Sequence, residues 1–153
     1  MIGLVFDASA LVAYASVEDG PAARGLTVAE LLHELKEDGN LAGVSVLSAQ
    51  AAWEQLGKDG RRLLRDLVDS RGSVIALLPF TSENLWPILE LADSRITSEL
   101  AHAAMATDLY NVEGGEVSLA TFEPELAKLV IGESAVIDLD DPGGDQAGYL
   151  SAD

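Results

Sequence analysis

A few oxygen-bearing residues stand where chemistry is usually done. Asp7 closes the apolar run Ile2 to Phe6 and is followed by Ala8 and Ser9. Ser48 follows a second apolar run, with Gln50 and Glu54 in the segment after it. Glu99 opens an alanine-rich stretch, and Thr121 ends a fourth run with Glu123 two residues on. In an open α/β sheet, ligands bind beyond the carboxyl ends of the strands. Oxygens converging there from four segments suit Mg²⁺ or Mn²⁺, hard cations that prefer carboxylate and water. A cation held in this way activates water and stabilises a phosphoryl transition state. Each residue also has a plain structural use. Asp7 would cap the helix that follows it, although a carboxylate ending a buried strand still needs a partner. Glu99 and Glu123 suit the first turn of a helix, where the dipole favours acids. Thr121 would cap the last helix, and Ser9 would either steady Asp7 or cap.

These positions need elements to hold them. Five nearly continuous apolar runs read as strands buried on both faces: 2–6, 42–47, 73–78, 116–120 and 135–139. Between them the spacing is helical. Thr27 and Glu30 form a capping box ahead of Val28, Leu31, Leu32 and Leu35, and Asp38-Gly39-Asn40 stops that run. Ser48 is expected to cap a helix carrying Ala49, Ala52, Trp53 and Leu56. Leu63, Leu64, Leu67 and Val68 make the next stripe. Thr81 opens another, which Pro87 should kink or delay. Thr97 caps an alanine-rich helix from Ser98 to about Tyr110, and 122–130 is a last short helix. This alternation predicts a parallel α/β sheet. Residues 1–140 read as one domain, and 141–153 as a flexible acidic tail.

Composition narrows the choices. A chain of 153 residues, 48% apolar and 23% charged, has the balance of a single globular domain. No apolar run approaches the ~18 residues that span a bilayer. The N-terminus lacks a basic region before its first carboxylate, so a soluble, cytoplasmic protein with no membrane partner is expected. With no cysteine, disulfides, thiolate zinc sites and thiol nucleophiles are excluded. With only His33 and His102, a site built on several imidazoles is not expected; His102, amid alanines, reads as a packed or solvent-facing residue. Trp53 and Trp86 read as core or dimer-interface residues. The net charge is −17, and removing the six acids of 133–153 leaves twenty acids against nine bases, a net of −11. A general nucleic-acid coat protein would be basic. Yet Lys58, Arg61, Arg62, Arg65 and Arg71 fall within fourteen residues, as a solvated helix face or as a local contact patch for RNA or a partner.

At the acidic positions the chain resembles the PIN domain family. Val5-Phe6-Asp7-Ala8-Ser9-Ala10-Leu11 is similar to the family's opening strand with its first metal-binding aspartate. The stretch Ser98 to Ala106 resembles the helix that carries the third acid, and Val117 to Glu123 the closing strand with its threonine and last acid. The resemblance implies a single α/β domain with a five-stranded parallel sheet flanked by helices. It also implies a Mg²⁺- or Mn²⁺-dependent single-strand endoribonuclease of the VapC-like toxin–antitoxin type, usually a homodimer with an antitoxin-like protein partner. Carried over residue by residue, Asp7, Glu99, Glu123 and Thr121 would be catalytic. Asp7, Glu99 and Glu123, with Gln50 or Glu54, would hold the metal, with Ser9 behind them. Lys58, Arg61, Arg62 and Arg65 would meet RNA or a partner.

The chain departs from the family pattern. The second acid best matches Gln50, which is neutral and would weaken metal binding. Glu54 lies one turn further, ~6 Å along the same face. The third and fourth acids are glutamates rather than aspartates, one methylene longer. The alternative is therefore a catalytically degenerate PIN-like protein that acts through protein binding or regulation. A phosphatase-like or nucleotide-binding domain is a third reading. It lacks both a glycine-rich phosphate loop after the first strand and an Asp-x-Asp pair, position 9 being Ser.

Overall fold

A computed structural model describes residues 1–16, 22–112 and 116–141. The part of the expected acidic tail past Asp141 lies outside the described residues. The strands are β1 (Ile2–Phe6), β2 (Leu41–Ser45), β3 (Ile75–Leu78), β4 (Ser118–Thr121) and β5 (Val136–Asp138). They form one sheet in the order β3-β2-β1-β4-β5, every neighbouring pair parallel. The helices are α1 (Ala8–Ala15), α2 (Ala22–Glu37), α3 (Val46–Gln55), α4 (Lys58–Asp69), α5 (Leu85–Leu91), α6 (Ser98–Val112) and α7 (Pro124–Ala127). The molecule is thus α/β, with a five-stranded parallel sheet flanked by helices. No helix among the described residues is long and apolar enough to cross a membrane.

The apolar strand runs are explained by burial on both faces. Leu4 and Phe6 join a core under α1, α2 and α4, while Val5 between them joins a second core under α5, α6 and α7. Buried Ala101, Ala103 and Ala104 let α6 lie against the sheet. Gly25 brings α2 against α1: a Cβ there would stand 2.9 Å from the Ala13 carbonyl oxygen.

Several element ends differ from the sequence reading, each for a hydrogen-bonding reason. Helix α2 begins at Ala22, so Thr27 is not a cap; its Oγ1 donates to the Ala23 carbonyl from inside the helix. Strand β2 stops at Ser45, which caps α3 by accepting from the Ser48 N–H, so the helix starts before Ser48 rather than after it. Strand β3 starts late because Ser73 Oγ accepts the Ile75 N–H and donates to the Leu67 carbonyl. Strand β4 starts late because the Asn111 side chain takes both the N–H and the C=O of Val117. Strand β5 is shortened at its start by a 3₁₀ turn at Glu133–Ala135. The last helix is cut to Pro124–Ala127: side-chain hydroxyls hold the Phe122 and Glu123 N–H groups, and Pro124 starts the turn. Thr97 caps α6 as expected, and Pro87 falls in the first turn of α5, where no intrahelical donor is needed. Trp53 and Trp86 are not core residues: they are 41% and 67% exposed.

Candidate functional site

The strand order reverses direction between β1 and β4. Chain leaves β1 toward β2 on one side, and β4 is added on the other, so a crevice opens beyond their carboxyl ends. Register aligns Phe6 with Ala120, and therefore brings Asp7 and Thr121, the next residues, side by side.

Asp7 is only 4% exposed and carries three hydrogen bonds. Its Oδ1 accepts from Ser9 Oγ at 2.6 Å and from the Ala10 N–H at 3.1 Å, which makes it the N-cap of α1. Its Oδ2 accepts from Thr121 Oγ1 at 2.5 Å. The two hydroxyls are in turn fixed by main chain: Ser9 Oγ accepts from the Phe122 N–H and Thr121 Oγ1 from the Glu123 N–H. The capping and site roles of Asp7 and Thr121 therefore coexist in one network. Burial pushes the Asp7 carboxyl above its ordinary value. The bonds from Ser9, Thr121 and Ala10 pull the other way, and the charge of Glu123 adds to the rise. A positive charge beside Asp7 would relieve that cost.

Asp7, Ser9, Glu99 and Glu123 line one cleft of about 430 Å³. Asp7, Ser9, Thr121, Glu99 and Glu123 are thus gathered at one end of the sheet. Glu99 is half-buried and Glu123 exposed. Ser48, buried in α3, reaches the Glu99 carbonyl oxygen at 3.4 Å.

Gln50 and Glu54 are not brought there. Both are exposed and neither lines the cleft. Helical residues advance by about 100° each. The Ser45 cap makes Ser48 and Ala52 the buried face of α3, so Gln50 and Glu54, two positions on from each, point away. Gln55 is the residue of α3 that lines the cleft. Lys58, Arg61, Arg62 and Arg65 lie on α4 and do not line it either. Arg61 donates to the Trp53 carbonyl and sits 5.1 Å from that ring's centroid, and Arg65 faces Asp69 one turn on. The cations of the cleft are instead Arg24 and Arg95. Neither carries a local sequence signal: both are single arginines, one in α2 and one in a turn, and only the chain path brings them together.

As placed, no three His, Cys, Asp or Glu side chains among the described residues converge tightly enough to hold a metal ion. The donor chemistry still suits a hard cation. Mg²⁺ keeps several waters and takes one or two protein carboxylates together with substrate phosphates, rather than a full protein cage. His102 stands apart, 3% exposed, edge-on to Phe80 and bonded to the Pro79 backbone. The chain matches no protein-family model, no curated protein and no solved structure.

Proposed function

We propose that the chain is a PIN-like, Mg²⁺- or Mn²⁺-dependent endoribonuclease of toxin type, cutting single-stranded RNA in the cleft beyond β1 and β4. The observation that carries this reading is Asp7: a buried carboxylate held from both sides, with Glu99 and Glu123 on the same cleft. Asp7, Glu99 and Glu123 are the residues that would hold the cation. Bound there, it would supply positive charge at the reacting phosphodiester. Ser9 and Thr121 keep the Asp7 oxygens aimed, and Glu99 or Glu123 accepts, at a carboxylate oxygen, the proton of a water whose oxygen bonds phosphorus while the P–O bond to the leaving ribose oxygen breaks and that oxygen takes a proton from solvent. The cytoplasmic location, the homodimer and the antitoxin-like partner belong to the same proposal.

The test is a calorimetric titration of Mn²⁺ and Mg²⁺ into the parent and Asp7→Asn, followed by cleavage of single-stranded RNA. Binding in the parent that weakens at least about tenfold in the variant, with cleavage lost alongside it, is the expected result. An unchanged Asp7→Asn nuclease would end the proposal. The lack of a tight three-residue acidic cluster favours a second reading, a degenerate PIN-like protein that works through a protein partner. That reading expects no binding at millimolar metal and intact RNA with every divalent ion.

A further inference from the structure

Arg95 sits in the turn between α5 and α6 and lines the same cleft as Asp7, Glu99 and Glu123. Its backbone is clamped. Asp93 Oδ1 accepts from the N–H groups of both Arg95, at 2.7 Å, and Ile96, at 2.9 Å. The Asp93 N–H bonds the Ile96 carbonyl, and the Ile96 side chain is buried in the core. These backbone bonds, with a smaller contribution from the Arg95 charge, hold the Asp93 carboxyl below its ordinary value. The Arg95 guanidinium itself makes no ion pair or side-chain hydrogen bond among the described residues.

Arg24, the other cation of the cleft, is committed. Its Nε and Nη2 reach both oxygens of Asp140, at 3.0 and 2.6 Å, and its Cζ lies over the Phe122 ring, 4.7 Å from the centroid. One guanidinium without an ion pair among the described residues therefore shares a cleft with three carboxylates, in a chain whose net charge is −17. A polyanion entering this cleft meets repulsion from Asp7, Glu99 and Glu123, and of the two lining arginines only Arg95 is not already paired with a carboxylate among the described residues. Guanidinium is also the side chain whose planar fork matches two phosphate oxygens.

We propose that Arg95 grips the phosphodiester of a single-stranded nucleic acid in this cleft, and that this contact, not the α4 arginines, anchors the strand. The inference rests on the nuclease reading. A phosphate contact carries no base information, so the effect should be the same for any sequence.

The experiment compares the parent, Arg95→Gln and Arg95→Lys on fluorescein-labelled uridine-rich and adenosine-rich RNA oligonucleotides. Steady-state cleavage is followed in Mn²⁺, and anisotropy in chelator, across a salt series. Arg95→Gln should raise KM about tenfold for both sequences with kcat little changed. The slope of log affinity against log salt should become shallower by about 0.7, the value of one phosphate contact on a single strand. Arg95→Lys should restore most of the slope but not all of the affinity. Mn²⁺ binding and the melting temperature should be unchanged, which separates strand binding from a structural role. If the parent cleaves RNA and Arg95→Gln keeps its KM and salt slope, this inference fails alone. If the parent neither binds nor cleaves RNA, the nuclease reading fails and takes the inference with it.

Discussion

Asp7 is under two opposed demands. Its hydrogen bonds favour a carboxylate and its burial disfavours one, and burial is the larger effect. Substitutions at this position therefore separate the two. Asp7→Asn keeps an oxygen for the Ala10 N–H and removes the buried charge, so it should melt at or above the parent at pH 7. Asp7→Ala loses the cap, about 1 kcal/mol, and leaves the buried Thr121 hydroxyl and the half-buried Ser9 hydroxyl without their acceptor, about 1–3 kcal/mol. It should melt clearly below. Calorimetric melting of the two variants checks the order. His102 makes a pH prediction. Burial lowers its pKa, and its Nδ1 has no partner among the described residues. The unfolded chain thus binds the proton more readily. The stability that neutral His102 contributes is complete above about pH 6.5 and is lost as pH falls below that value. Glu34 and Asp108, whose carboxyls are raised, act in the opposite sense. The difference between the parent and His102→Gln in denaturant midpoints from pH 7.5 to 5 isolates the histidine. That difference should move against the parent on acidification; a constant difference would refute the account.

At the scale of elements, helix ends decide which side chains face the cleft. A cap at Ser45 in place of one at Ser48 leaves the helical pattern of α3 intact but settles which residues line the cleft, so Gln55 does and Gln50 does not. The alternation of apolar runs, the cap at Thr97 and the partnered Asp7 were legible from residue types alone. The true ends of β2, β3 and β4 were not. They depend on side chains that are distant or ambiguous in the sequence, such as Asn111 bracketing Val117. Contact between helices is equally specific. In open helix, Gly25→Ala would gain about 1 kcal/mol of propensity. Here the added methyl meets the Ala13 carbonyl, a backbone atom that cannot rotate aside. The clash should cost about 1–3 kcal/mol and prevail, lowering the melting temperature by a few degrees. A more stable Gly25→Ala protein would mean that α1 and α2 are not in close contact.

At the scale of the molecule, charge is the dominant property. A net of −17 spread over 153 residues opposes compaction through its own repulsion. Raising monovalent salt from about 0.02 to 0.5 M shortens the Debye length from tens of ångströms to a few. The parent should therefore melt at higher temperature in the higher salt, which differential scanning calorimetry reads directly. A falling melting temperature would show that specific ion pairs, such as Arg24 with Asp140, outweigh the general repulsion. The sequence by itself determined the class of fold, because strands buried on both faces must be apolar throughout and the helices between them must carry a 3.6-residue stripe. It also singled out Asp7, because a carboxylate at the end of such a strand needs a reason. Only the tertiary structure decided the company Asp7 keeps. Thr121 reaches it through the pairing of β1 with β4, and Arg24, Gln55 and Arg95 reach the cleft through the packing of separate helices and a turn. Such meetings are long-range consequences of chain path and helix phase, and no local pattern of residues encodes them.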